Sequence, residues 1–90
     1  KELLESSLPE ETEEEILSII HQNPQVKDSH HLKTRKIGNI YAIDIHIKLD
    51  RNISFVESHD IATDIEIRLR ERYGERTQTS IHTEPFKEKK

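Results

Sequence analysis

Cysteine, methionine and tryptophan are all absent from this chain of 90 residues. Without cysteine there is no disulfide framework, no thiol redox centre and no thiolate ligand for a metal. Glycine is nearly absent too. Gly38 and Gly74 are the only two, and both fall where a turn or a helix stop is wanted. No glycine-rich phosphate loop can be drawn, and no serine sits in a nucleophile elbow. Aromatic residues make up 4 % and hydrophobic residues 31 %. That core is thin for an isolated monomer of this size, and burial in an oligomer or a bound metal would strengthen it. No apolar run approaches the roughly 20 residues needed to cross a bilayer. No signal peptide is recognisable, and the opening Lys1-Glu2-Leu3-Leu4 reads as a piece of a longer protein. Positive charge is also in deficit. The net charge is −4 with histidines neutral, which disfavours nucleic acid or an anionic lipid surface as partner.

What the chain does have is isoleucine, charge and six histidines. Residues 1–8 read as a linker or the end of a preceding helix, and 87–90 as a solvated tail. Between them, 9–86 reads as one domain. Pro9 suits a first helical turn, and Glu10, Glu11, Glu13, Glu14 and Glu15 favour the positive end of the helix dipole. Ile16, Ile19 and Ile20 form one stripe, so a helix is expected from Pro9 to Gln22, ending before Asn23-Pro24. Val26–Ile37 reads as a strand of mixed polarity, and Gly38-Asn39 as a turn. Tyr41, Ile43, Ile45, Ile47 and Leu49 then alternate with Ala42, Asp44, His46, Lys48 and Asp50, the pattern of a half-buried strand. Ser54 with Glu57 forms a capping box for a second helix over Phe55–Tyr73, which Gly74 ends. Ile61, Ala62, Ile65 and Leu69 are its buried stripe. Thr77–Glu84 is a last strand, stopped by Pro85. The order α-β-β-α-β predicts an α+β, ferredoxin-like (metallochaperone-like) sandwich, with two helices on one face of a three-stranded mixed sheet.

Four of the histidines fall in these strands. His82 and Glu84 are two apart in an extended segment and share a face, setting an imidazole beside a carboxylate. Gly38 at the centre of a three-residue loop sets His30 opposite His46. A two-residue Gly38-Asn39 loop sets His31 there instead and pairs Lys33 with Asp44, and a bulge would then restore His30. In each register one histidine faces His46 at a distance a metal can bridge. The plain alternative is a set of solvent-facing histidines with no common partner.

Read together, these segments resemble the C-terminal cytoplasmic domain of the cation diffusion facilitators, membrane antiporters for zinc and other divalent metals. The likeness covers nearly the whole chain. Leu3-Leu4-Glu5-Ser6-Ser7-Leu8-Pro9 resembles the stretch after the last transmembrane helix. His30-His31-Leu32-Lys33-Thr34-Arg35 resembles the family's His-x-Leu-Arg-Thr-Arg strand, and Asp44-Ile45-His46-Ile47 its second strand. Glu57-Ser58-His59-Asp60-Ile61-Ala62 resembles the start of its second helix, and His82-Thr83-Glu84-Pro85 its terminal His-x-Asp/Glu-Pro. The resemblance implies His30, His46, His59, His82 and Glu84 as metal ligands, with zinc as the bound ion and the carboxylate able to bridge two ions. It also implies a cytosolic homodimer steadied by metal beneath a transmembrane part of the same protein. His31 stands where the family often has a carboxylate and is a candidate substitute ligand. Glu84 stands where the family often has Asp. The expected function is therefore metal sensing and dimerisation for an efflux transporter rather than catalysis. A dimerisation adaptor of the same fold that binds little or no metal is one alternative, and a small metal-dependent hydrolase is another. Nitrogen and oxygen donors without sulfur admit zinc, cobalt, nickel and manganese.

Overall fold

The computed structural model describes residues 5–87, so 1–4 and the end of the expected tail, 88–90, lie outside the described residues. The chain runs β1 (Glu5–Ser6), α1 (Glu10–His21), β2 (Asp28–Ile37), β3 (Ile40–Leu49), α2 (Phe55–Tyr73) and β4 (Gln78–Pro85). The sheet order follows the chain order, β1-β2-β3-β4. β2 and β3 are antiparallel and β3 and β4 parallel. α2 is the crossover that a parallel pair requires. The mixed sheet of β2, β3 and β4 is the one the alternation predicts.

β1 adds to it. Glu5 and Ser6 pair with Ile37 and Lys36. Two residues later Leu8 is buried in the core at 5 % exposure. Its N–H donates to Thr34 Oγ1 at 3.1 Å, and the Thr34 hydroxyl donates to Glu13. The end of the stretch read as a linker is thus bound to the fold by backbone pairing and by apolar burial.

The helices form because their ends are closed and one stripe is apolar. The Pro9 carbonyl accepts from the Thr12 and Glu13 N–H groups to open α1. At α2 the Ser54 hydroxyl accepts from the Glu57 N–H at 3.0 Å, and the Glu57 carboxylate accepts in return from the Ser54 N–H. Gly74, at φ +118, ends α2 with its N–H on the Arg70 carbonyl. Ile16 and Ile20 of α1 and Ile61, Ile65 and Leu69 of α2 pack with Ile43, Ile45, Ile47 and Leu49 of β3 in one core. Both helices therefore cover the same face of the sheet. Alternation along β3 turns Asp44, His46 and Lys48 to the opposite, open face. The Tyr73 hydroxyl donates to Glu15 and joins the end of α2 to α1.

Candidate metal centre

The open face gathers the histidines through two register facts. The β2–β3 hairpin closes on the two-residue turn Gly38-Asn39, with Ile37 opposite Ile40 and Lys33 opposite Asp44. The register then shifts between His30 and Lys33, and His30 comes opposite His46. His31 absorbs the extra residue in a left-handed conformation, φ 60. This is the short loop plus the bulge. On the other side of β3 the parallel register sets His82 beside His46 and Glu84 beside Lys48.

His30, His46 and Glu84 converge. Glu84 Oε2 lies 2.7 Å from His46 Nδ1, and Oε1 lies 2.9 Å from His30 Nε2. One carboxylate thus serves two imidazoles from two strands. The three side chains are each about one-third exposed. The hydrogen bond from His30, and then that from His46, hold the Glu84 carboxyl far below the usual carboxylate range, at about 2, against the opposing effect of burial. The three ligand atoms lie within 4.8 Å of one another. Two imidazole nitrogens and a carboxylate oxygen suit zinc or a similar divalent ion with a fourth position open.

His82 is drawn elsewhere. Its ring stacks on His46 with centroids 4.6 Å apart. Its Nε2 lies 3.2 Å from Asp44 Oδ1 and 3.2 Å from Ser80 Oγ. Asp44, His46 and His82 form a second convergent trio. Asp44 was not singled out as a ligand by the sequence reading. Its signal was there: it is two residues before His46 on the same strand face. His31 has its ring 4.3 Å from His30 and 5.4 Å from His46, centroid to centroid, at the rim of the cluster. His59 belongs to neither trio among the described residues. It is exposed on α2, and α2 packs on the other face of the sheet.

Comparison with known proteins agrees with this architecture. The profile of the family described as "Cation efflux protein, cytoplasmic domain" matches residues 8–86. Protein p34 of Rickettsia prowazekii is 33 % identical over 86 residues, covering 96 % of this chain and 28 % of the relative. The cation-efflux pump FieF of Shewanella oneidensis is 34 % identical over 83 residues, covering 92 % of this chain and 28 % of the pump. The chain thus spans little more than a quarter of the length of these relatives. Among solved structures, the transporter CzrB in its zinc form superposes with a TM-score of 0.80 at 27 % identity, covering 92 % of this chain and 94 % of the other. No helix of the described residues is long and apolar enough to cross a membrane. The ferredoxin-like sandwich, its open histidine face and a profile match over residues 8–86 identify the chain as a member of the cation efflux protein cytoplasmic domain family, a transporter domain and not an enzyme.

Proposed function

We propose that this domain binds zinc on the open sheet face, and that the ion stabilises a homodimer and regulates a membrane transporter of divalent cations. The observation that carries this reading is Glu84 held between His30 and His46. The trio draws one donor from each of β2, β3 and β4. An ion bound there ties three strands together and favours the folded state over the unfolded chain, which lacks the site. Imidazoles must be neutral to ligate, so binding releases protons. His82, stacked on His46, stands beside the trio and is a further member of the set that the family resemblance implies. His59 is exposed on the helix layer, and in this reading it serves the ion bound by a second copy of the chain. Zinc in this role is a regulatory ligand. The transported ion passes through the membrane part of the longer protein.

Calorimetric titration of the 90-residue chain with zinc, paired with sedimentation equilibrium, tests the proposal. The expected result is saturable binding and a dimer whose association constant rises with zinc. A dimer that takes up no zinc would replace this reading with that of a metal-free adaptor.

A further inference from the structure

Where the chain enters α1, a single hydroxyl joins three elements. Leu8 precedes Pro9, which opens α1, and Glu13 is the fourth residue of that helix. In many helices the residue before the cap packs an apolar side chain on the fourth helical residue, and that contact fixes the entry angle of the chain. Here the fourth residue carries a carboxylate, and the link between the two positions is polar. Thr34 of β2 makes it. Thr34 is 5 % exposed and lies opposite Ile43, on the sheet face that the helices cover. Its hydroxyl donates to the Glu13 carboxylate and accepts from the Leu8 N–H at 3.1 Å. The two bonds have fixed directions. A carboxylate only accepts and an amide N–H only donates, so the one hydroxyl proton is committed to Glu13 and a lone pair to Leu8. Glu13 lies in the first turn of α1, where the helix dipole favours the ionised carboxylate, and a bond to an ionised acceptor is the stronger kind. Little else holds this junction. The Pro9 cap offers no side-chain hydrogen bond, and β1 pairs with β2 through two residues.

We propose that Thr34 and Glu13 are positioning residues for the junction between this domain and the chain that leads into it. Their bridge holds residues 5–9 on β2 and sets the angle at which that segment enters α1. The inference does not depend on metal at the open sheet face. With the bridge closed, the segment extends the sheet and moves with β2 as one body. With it open, the Leu8 N–H has lost its acceptor inside the core, and a strand of two residues is marginal alone. The segment then leaves β2 while the rest of the domain stays folded, a local opening that costs less than global unfolding. The Thr34 hydroxyl thus decides whether the entry to the domain is a rigid strand or a swivel, and with it the orientation of the domain to whatever is attached before residue 5.

The test is amide hydrogen exchange of the metal-free 90-residue chain, followed residue by residue by NMR, with the Ile45 N–H as the reporter of global unfolding. Thr34→Val keeps the shape of the side chain and removes the hydroxyl. It should speed exchange at Leu8 at least about tenfold more than at Ile45, the scale of one buried hydrogen bond lost. Thr34→Ser keeps the hydroxyl and should restore the protection of Leu8 relative to Ile45. Glu13→Ala, at a partly exposed residue, should act in the same direction as Thr34→Val by a smaller factor, and it keeps the test decisive where Thr34→Val perturbs folding. Residual dipolar couplings read the angle itself. The N–H vectors of Glu5, Ser6 and Leu8 should share the alignment of α1 and β2 in the wild type and average toward zero in Thr34→Val. A Leu8 amide that exchanges like a free peptide in the wild type would overturn the proposal. Equal acceleration at Leu8 and Ile45 in both Thr34→Val and Glu13→Ala would overturn it as well.

Discussion

Glu84 on β4 reaches over the whole width of β3 to His30 on β2, closing to 2.9 Å while its other oxygen stays on His46. Three strands are bridged by one carboxylate, and the length of the arm makes that possible. An aspartate in its place would have one methylene less. It could keep the neighbouring strand and would fall short of the next.

Glu84→Asp is therefore expected to retain the His46 contact and lose that to His30. Zinc affinity should fall by at least about tenfold, the scale on which changes around a metal site act. Calorimetric titration checks this. An unchanged dissociation constant would mean that the His30 contact plays no part in binding.

The same contacts set a pH dependence in the metal-free chain. Glu84 is held at about 2, below the usual range of about 4.3 for a glutamate in an unfolded chain. A depressed acid contributes stability above its unfolded value and loses it as pH falls through the folded one. Stability from Glu84 should thus be complete above about pH 4.3 and decline toward pH 2. Melting curves of wild type and Glu84→Gln, recorded without metal from neutral pH downward, should converge as the acid end is reached. Parallel curves with a constant gap would show that the carboxylate's charge contributes nothing.

Leu8 tests where the folded unit begins. It is 5 % exposed and belongs to the same core as Ile47, which is 0 % exposed. Truncating a buried Leu or Ile to Ala costs about 2–5 kcal/mol. Leu8→Ala should therefore destabilise the chain, toward the lower end of that range because the site lies at the edge of the core and can relax, and Ile47→Ala should cost more. Chemical denaturation of both variants measures this. A Leu8→Ala chain as stable as wild type would return that segment to the role of a linker.

Most of the fold was legible because the signals were local and agreed with one another. The run Ile43 to Leu49 alternates without a fault, and Ser54, Glu57 and Gly74 mark both ends of α2 within one element. The hairpin register was legible only as a choice. A loop count from Gly38 and Asn39 sets His31 opposite His46, and the left-handed kink at His31 that restores His30 has only a faint sequence mark, since histidine is tolerated there but glycine is the residue that conformation favours most. β1 was missed because two residues are too few for any periodicity, and because Leu8 is buried by partners far along the chain. Asp44 was passed over for a related reason. Its link to His82 depends on the parallel register of β3 and β4, which a long crossover helix sets and no local pattern announces.

The last expectation separates two histidines that composition treats alike. His21 ends α1 and lies 2.8 Å from Ser29 Oγ through Nε2, outside both trios. His59 is also outside both trios, yet it is exposed on α2 near the capping box and free of any sheet-face role. If the ion on one copy recruits His59 from another, His59→Ala should leave zinc binding nearly intact in dilute, monomeric protein. It should also reduce the zinc-driven rise in dimer association. His21→Ala should alter neither. Sedimentation equilibrium across a range of protein and zinc concentrations resolves the two effects. Equal responses from His21→Ala and His59→Ala would remove His59 from the ligand set, and with it the case that metal joins the copies through α2.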